Sequence, residues 1–190
     1  MSKEALLKII EEIISKTNQN LRSINLEETK AFINAIKSSK RIFNIGQGRS
    51  ALIAENFAIR LLQLGFSVSV VSEHALDIAP PVGGNGDLVI AISGSGETEE
   101  VLTYCKVAKK KGAKIAVITS FKDSSLAKIA DYVVIVKGRS KRWKYKTFIE
   151  RELSGEAEAV SIEGALFEIS TMVLIEAIIQ YIQEERKNGE

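Results

Sequence analysis

The spacing of apolar residues predicts that the chain opens with two helices. In the first segment, apolar side chains recur every three or four positions, which places them on one face of a helix. These residues are Leu6, Ile9, Ile10, Ile13 and Ile14. A second, shorter helix is expected from Ala31, Phe32, Ala35 and Ile36, with its start near Asn25.

Beyond residue 40 the apolar residues form short continuous runs, which are typical of buried strands. These runs predict strands at 41–45, 67–71, 88–92, 115–118 and 132–136. Helical spacing between them predicts helices at about 51–64, 99–111 and 125–129. Strands that alternate with helices indicate an α/β fold, in which helices cover both faces of a mostly parallel sheet.

The last predicted helix, at about 164–186, is apolar on more than one face. Its apolar residues include Leu166, Ile169, Met172, Val173, Leu174, Ile175, Ile178 and Ile179. A helix that is apolar nearly all round is buried, either in a core or at an interface. The pattern therefore favours an oligomer.

The composition excludes several classes of site. A length of 190 residues suits one domain. The 26 Lys and Arg residues against 24 Asp and Glu leave a formal charge of +2, which gives no reason to expect a nucleic-acid partner. The single Cys105 excludes an internal disulfide and a cysteine-based zinc site, and the single His74 excludes a multi-histidine site. We expect no metal and no cofactor.

Charged residues interrupt both segments that are apolar enough to compare with a membrane span. Residues 1–14 carry five charged side chains, and Glu163, Glu168 and Glu176 fall within residues 162–182. A membrane span or signal peptide tolerates few such charges. We therefore expect no membrane segment and a cytoplasmic protein.

The loop after the third predicted strand is the stronger candidate for a binding site. It is Ser93-Gly94-Ser95-Gly96-Glu97-Thr98, in which Gly94 and Gly96 allow the backbone to approach a ligand closely. Ser93, Ser95 and Thr98 supply hydroxyl donors before a helix N-terminus, where unpaired N–H groups favour an anion. A capped turn would need only one such residue. The loop is therefore predicted to bind a phosphate.

The loop after the first predicted strand is Gly46-Gln47-Gly48-Arg49-Ser50-Ala51, which fits the dinucleotide pattern G-x-G-x-x-A. That pattern expects an acidic residue about 20 positions further on, and Glu73 matches this spacing only loosely. Gly48, Arg49 and Ser50 suit direct contact with a polar ligand better than a bare pyrophosphate turn. A surface salt bridge is the alternative for Arg49.

Together the two loops resemble those of the sugar isomerase (SIS) domain family, and within it the 6-phospho-3-hexuloisomerases. Those proteins show G-x-G-R-S after the first strand, I-S-G-S-G-E-T after the third, and G-[ST]-x-F-E at the start of the last helix. Here the third motif is Gly164-Ala165-Leu166-Phe167-Glu168. The resemblance covers residues 5–185.

The resemblance implies a flavodoxin-like SIS fold, with a five-stranded parallel sheet of order 2-1-3-4-5 between layers of helices. That order places the first and third strands side by side, so both loops would meet at one crevice. We expect one domain over 1–190, composed of N-terminal helices (1–40), a βα core (41–136), an irregular insertion (137–161) and a C-terminal helix (162–187). The resemblance also implies homodimers or homotetramers that share active sites.

Isomerisation needs a base that moves a proton between adjacent carbons and a group that stabilises the enediolate oxygens. Glu168 is the candidate base, since it stands among apolar residues that would raise its pKa, and the family's matching glutamate supports it. Glu163 is a competitor for this role, and a salt bridge on the helix face is the alternative for Glu168. Arg49 is the candidate for enediolate stabilisation.

His74 is the third candidate catalytic residue. A histidine can open a cyclic sugar or shuttle a proton, and an ordinary loop or interface role is equally open here. Related arabinose-5-phosphate isomerases carry a histidine in this region, whereas the hexuloisomerases more often show Thr-Thr-Pro. His74 therefore leaves the identity of the sugar open.

Residues 137–146 contain six basic side chains with Trp143 and Tyr145 between them. Such a stretch is compatible with a nucleic-acid patch. An acidic run follows it, at Glu150, Glu152, Glu156 and Glu158. Local charge compensation on a solvated insertion is the favoured interpretation, and no nucleic-acid partner is expected.

Three functions from different classes are consistent with the sequence. The leading hypothesis is a cofactor-free phosphosugar isomerase that interconverts a 3-hexulose 6-phosphate and fructose 6-phosphate, with an arabinose-5-phosphate isomerase or another aldose–ketose isomerase as an alternative. The second is a sugar-phosphate sensor without turnover. The third is a dinucleotide-binding module, which leaves the loop at 93–98 unexplained.

Overall fold

The computed structural model describes residues 2–71, 81–139, 147–153 and 162–189. Five parallel strands form one sheet, whose order β2-β1-β3-β4-β5 confirms the prediction. The strands are β1 Arg41–Gly46, β2 Val68–Val71, β3 Asp87–Ile92, β4 Lys114–Thr119 and β5 Tyr132–Ile135.

Helices connect and cover these strands. In the described ranges they are α1 Lys3–Arg22, α2 Leu26–Ser38, α3 Arg49–Gln63, α4 Glu99–Lys110, α5 Ser125–Ile129, α6 Phe148–Leu153 and α7 Ile162–Asn188. All but α6 correspond to helices that the apolar spacing predicts. The expectation of an irregular segment over 137–161 is wrong at α6. There Glu150 N donates to Thr147 Oγ1 (3.1 Å) and Thr147 N donates to Glu150 Oε2 (3.3 Å), so a capping box starts a helix.

The sheet separates two apolar clusters, because successive side chains of a strand point to opposite faces. On one face Ile42 and Ile90 pack with Phe57 and Phe167, among helices α2, α3 and α7. On the other face Phe43 and Val89 pack with residues of α4 and α5. Every residue of β3 is buried, as expected for a central strand covered on both sides.

An ion pair joins β1 and β3 at the amino ends of the strands. Arg41 donates from Nε and Nη2 to the two carboxylate oxygens of Asp87, at 2.8 and 2.6 Å. Gly83 N donates to Asp87 Oδ2 at 2.9 Å. These hydrogen bonds, above all those from Arg41, lower the pKa of Asp87 from its ordinary value of 3.8. The pair lies at the opposite end of the strands from the two special loops.

Two absences hold for the described ranges. None of the helices there has the length and apolar character needed to cross a membrane. In the same ranges, no group of three or more His, Cys, Asp or Glu side chains is arranged to hold a metal ion.

Candidate active site

The two special loops leave neighbouring strands of the sheet. In the parallel register Ile45 lies beside Ala91 and Gly46 beside Ile92, so β1 and β3 end side by side. The chain then enters α3 after β1 and α4 after β3. Open α/β sheets form a crevice where the strand order changes direction in this way. The prediction that the two loops follow neighbouring strands is therefore confirmed, and a shared crevice at this edge of the sheet is what the topology leads us to expect.

Hydroxyl groups organise the loop at residues 93–98 from within. Ser93 Oγ accepts a hydrogen bond from Gly96 N at 3.1 Å and lies 3.2 Å from Thr98 Oγ1. Ser95 Oγ accepts from Glu97 N at 3.2 Å. All three hydroxyl-bearing residues are buried. Because a hydroxyl that accepts a bond still has its own hydrogen to donate, Ser95 supports the turn and keeps a hydroxyl hydrogen that it can donate.

Two glycines of this loop are required by their surroundings. Gly96 has φ of 66°, and a Cβ there would lie 2.2 Å from Ser124 Oγ. A Cβ on Gly94 would lie 2.9 Å from Arg139 Nε and 3.0 Å from Phe167 Cδ1. The loop is thus packed against the start of α5 on one side and against residues near α7 on the other.

Glu97 stabilises this loop by binding the start of α5, a role that the sequence prediction did not assign to it. Its Oε1 accepts a hydrogen bond from Ser125 N at 2.9 Å, at the first residue of α5. Leu126 N also donates to the backbone oxygen of Gly96 at 3.0 Å. The carboxylate therefore satisfies an amide that a helix N-terminus leaves without an intrahelical partner.

The N-termini of α3 and α4 differ from those of the other capped helices. Side chains of Ser2, Asn25 and Ser124 accept amide hydrogen bonds at the starts of α1, α2 and α5. The N-cap residues of α3 and α4, Gly48 and Thr98, make no such bond. Both helices begin at the crevice, where first-turn amides and the helix dipole suit an anion. Among α1 to α5, for which the N-cap is described, the two helices that directly follow the loops of β1 and β3 are therefore the ones that lack a side-chain cap.

Gly48 directly precedes α3, and Ser50 is the second residue of this helix. Gly48 has φ of 58°, a conformation that favours glycine. Ser50 is buried in the first turn. A Cβ on Gly46 would lie 2.5 Å from the backbone oxygen of Ser50, so glycine permits α3 to start directly against the end of β1.

The carboxylate of Glu168 lies between two arginines. Arg139, just after β5, donates from Nη2 to Glu168 Oε1 at 2.6 Å, and the two side chains are only 9% and 11% exposed. Arg49 Nη2 lies 3.7 Å from the same oxygen and donates to the backbone oxygen of Gly164 at 2.6 Å. Glu168 Oε2 is buried and makes no hydrogen bond within the described part of the chain.

This geometry corrects two expectations. The surroundings of Glu168 are not apolar alone, because two guanidinium groups face Oε1. The interpretation of 137–146 as a solvated charged insertion is wrong for Arg139, whose side chain is only 9% exposed. It lies three residues beyond the predicted strand at 132–136, at the carboxyl edge of the sheet, and this position is the sequence feature that could have marked it as a site candidate.

Glu163 does not share these surroundings. Its side chain is 52% exposed, and Lys16 donates to its Oε1 at 2.7 Å. The hydrogen bond from Lys16 lowers the pKa of Glu163, which is the wrong direction for a base that works near neutrality. Glu168 is therefore the better candidate base of the two. His74 and Glu73 lie outside the described residues.

Comparisons with known proteins agree with this architecture. A family model, the SIS domain, matches residues 35–146. An uncharacterized protein of Archaeoglobus fulgidus is 39% identical over 92% of this chain and 89% of its own length. The 3-hexulose-6-phosphate isomerase of Bacillus subtilis is 32% identical over 93% of this chain and 89% of its own length.

A solved structure has the same fold. It is the crystal structure of a hypothetical protein from Methanococcus jannaschii, for which a function of 3-hexulose-6-phosphate isomerase was inferred. It matches with a TM-score of 0.69 and 28% identity, over 96% of this chain and 92% of that one.

Proposed function

The chain belongs to the SIS domain family, and from this membership we propose that it is a phosphosugar isomerase that interconverts a 3-hexulose 6-phosphate and fructose 6-phosphate. One observation carries the proposal: two helix N-termini without side-chain caps open at the crevice that also receives Glu168 and two arginines. The names of the relatives from Bacillus subtilis and Methanococcus jannaschii support the choice of sugar.

The loop at 93–98 binds the phosphate of the sugar in this proposal. Its backbone amides, the hydroxyl of Ser95 and the N-terminus of α4 supply donors without a fixed charge. The dipole of α3 adds a second positive end beside Gly48 and Ser50. Binding of this remote phosphate holds the reacting carbons in place. The entropic cost that remains for the chemical step is therefore smaller.

Glu168 then moves a proton between the two carbons that exchange the carbonyl. It takes the proton from C2 of the 3-hexulose, so that the electron pair forms the C2–C3 double bond of an enediolate and the C3 oxygen becomes anionic. It returns the proton to C3, while the hydroxyl proton on O2 passes to O3 and C2 becomes the carbonyl of fructose 6-phosphate. No electrons leave the sugar, so the step requires no redox cofactor.

Arg49 stabilises the enediolate in this mechanism. Its guanidinium is 41% exposed, so it is accessible from the crevice while its bond to Gly164 fixes its direction. A fixed cation near a developing oxyanion lowers the barrier, because it needs no reorganisation during the reaction. His74 remains a candidate for sugar ring opening, on the strength of its position in the sequence alone.

The proposed enzyme works as a homodimer or homotetramer with shared sites in the cytoplasm, where its charged substrates are retained. Support comes from apolar side chains that remain exposed on three helices. On α7, Val173, Ala177 and Tyr181 form an exposed row at intervals of four residues. On α1 and α3 the exposed apolar residues are Leu6, Leu7, Ile9, Ile10, Ile14, Leu52, Ile59 and Leu62. Burial of such rows against a second copy removes apolar surface from water.

The test is a turnover assay with the purified protein on fructose 6-phosphate, a 3-hexulose 6-phosphate and arabinose 5-phosphate. Glu168→Gln is the control, since it keeps the shape of the side chain and removes the base. We expect interconversion of the first two sugars by the wild type and a loss of at least about 100-fold in the variant. Turnover of arabinose 5-phosphate alone would replace the proposed substrate, and tight binding of sugar phosphates without turnover would identify a sensor.

A further inference from the structure

The side chain of Arg139 connects the candidate base to the phosphate-binding loop. Its Nη2 donates to Glu168 Oε1 at 2.6 Å. Its Nε and Cγ lie against Gly94, where even a methyl group would approach within 3.0 Å of them. One guanidinium therefore lies between the loop that follows β3 and the helix that carries Glu168.

The backbone around Arg139 is attached to the same loop. Arg139 N donates to Ser120 Oγ at 3.3 Å, and Ser120 Oγ donates to the backbone oxygen of Val136 at 2.8 Å. Ser120 N donates to the backbone oxygen of Gly94 at 3.1 Å. Ser120, directly after β4, thus joins the ends of β3, β4 and β5 and restricts where Arg139 can lie.

The segment before Arg139 also packs tightly on α7. Gly138 has φ of 149°, and a Cβ there would lie 2.4 Å from Phe167 N and 2.6 Å from Phe167 Cα. Phe167 is fully buried and directly precedes Glu168. The backbone that presents Arg139 and the backbone that presents Glu168 are therefore in direct contact, and little room is left for either side chain to shift.

The two oxygens of Glu168 have different surroundings as a result. Oε1 faces both arginines, whereas Oε2 is buried and has no hydrogen-bond partner among the described residues. A buried polar atom without a partner is uncommon, and a catalytic role is one of the accepted explanations. We propose that Arg139 is a positioning residue: it contacts the phosphate-binding loop at Gly94, holds Glu168 through Oε1, and leaves Oε2 without a competing hydrogen bond. This inference rests on the proposed function.

A kinetic test separates positioning from substrate binding. In Arg139→Met the carboxylate loses its hydrogen bond, and a displacement of about 1 Å reduces kcat roughly 100-fold. KM changes by less than about threefold, because Arg139 does not bind the substrate in this proposal. In Arg139→Lys, kcat returns to at least about a tenth of the wild-type value, because an ammonium group can still make a single N–O contact with the carboxylate.

The matched control is Arg60→Met. Arg60, on α3, pairs with Glu176, which lies on α7 as Glu168 does. Arg60 Nε donates to Glu176 Oε1 at 3.1 Å, in a partly exposed position. We expect its kcat and KM to match the wild type. An increase in KM for Arg139→Met with unchanged kcat would overturn the proposal in favour of a substrate-binding arginine. Unchanged kinetics in Arg139→Met would overturn it as well.

A second measurement does not depend on activity, so it still decides the inference if the proposed function fails. Melting temperatures are compared for the wild type, Arg139→Met, Glu168→Gln and the double variant. Removal of Arg139 leaves a buried carboxylate without its main partner, and we expect a decrease of about 5 °C or more. Addition of Glu168→Gln to Arg139→Met recovers at least half of that decrease. Strictly additive changes would show that the two side chains are not coupled and would overturn the inference.

Discussion

Arg49 donates a 2.6 Å hydrogen bond from Nη2 to the backbone oxygen of Gly164. This bond joins the first turn of α3 to the first turn of α7, one helical turn before Glu168. The same nitrogen lies 3.7 Å from Glu168 Oε1. The residue that follows the glycine loop of β1 therefore reaches the helix that supplies the candidate base.

From this position we predict that Arg49→Met lowers kcat by about 100- to 1000-fold, because one preorganised partner of the enediolate is lost. The melting temperature changes little, since the Arg49 side chain is 41% exposed. Steady-state kinetics and thermal unfolding measure the two quantities. A variant that loses stability but keeps its kcat would assign Arg49 a structural role instead.

Gly96 is predicted to tolerate no side chain. In Gly96→Ala a Cβ would lie 2.2 Å from Ser124 Oγ, so the loop and the start of α5 have to separate. We expect a loss in unfolding free energy clearly above the roughly 1–2 kcal/mol of a left-handed alanine, and at least a tenfold weaker affinity for fructose 6-phosphate. Chemical denaturation and titration calorimetry are the measurements.

Gly65→Ala is the matched control for this loop variant. Gly65 also has a positive φ, of 82°, but a Cβ there would meet nothing within 4 Å. Gly65→Ala therefore has the energetic cost of an alanine at positive φ but no steric clash. We expect its affinity for fructose 6-phosphate to equal that of the wild type. Equal losses of affinity in both variants would contradict the role of close packing at Gly96.

Because of the Arg41–Asp87 ion pair, we predict that the free energy of unfolding depends on pH in the acidic range. The folded-state pKa of Asp87 lies below its ordinary value of 3.8, mainly because of its hydrogen bonds from Arg41. The pair therefore stabilises the fold fully above that value, and this contribution is lost as the pH falls below 3.8 toward the folded-state pKa. Asp87→Asn should reduce the unfolding free energy at pH 7 by about 1–2 kcal/mol, discounted for a partly exposed arginine.

Denaturation of both proteins as a function of pH tests this prediction. The difference between wild type and Asp87→Asn should shrink below pH 3.8, because the protonated carboxyl then resembles the amide. Glu27→Gln, at an exposed pair with Lys30, serves as the control and should show no such trend. A difference that stays constant down to pH 2 would contradict the assignment.

The exposed apolar row of α7 predicts that a charged side chain placed in it weakens oligomer assembly. Val173 is 46% exposed in the isolated chain, and in the proposed oligomer Val173→Glu would bury a carboxylate without a partner. We expect a smaller molecular mass in light scattering at the same concentration. Val107→Glu is the control, because Val107 is 45% exposed on α4, outside this row. An unchanged mass for Val173→Glu would remove α7 from the interface.

Much of the fold follows from local patterns in the sequence. The apolar runs predict both ends of all five strands to within one residue. Asn25 correctly marks the start of α2, where its side chain accepts two amide hydrogen bonds. These features depend on neighbours along the chain, which a linear sequence displays. Within the described ranges the helix that the sequence prediction missed is α6, although its capping box is visible at Thr147 and Glu150.

The site is only partly predictable in the same way. The loop at 93–98 and Glu168 stand out by composition and resemblance, but Glu97 and Arg139 do not. Glu97 lies in the predicted loop, yet its Oε1 accepts a hydrogen bond from Ser125 N at the start of α5. Arg139 stands in a basic stretch that locally resembles solvated surface.

The sequence by itself determined the kind of each main element, the parallel order of the sheet through the family resemblance, and the two loops that face the crevice. Only the tertiary structure decided which charges meet there: that Lys16 binds Glu163, and that Arg49 and Arg139 face Glu168. The physical reason is that periodicity encodes the face on which a side chain lies. The distance between side chains from remote elements depends instead on how the helices pack on the sheet.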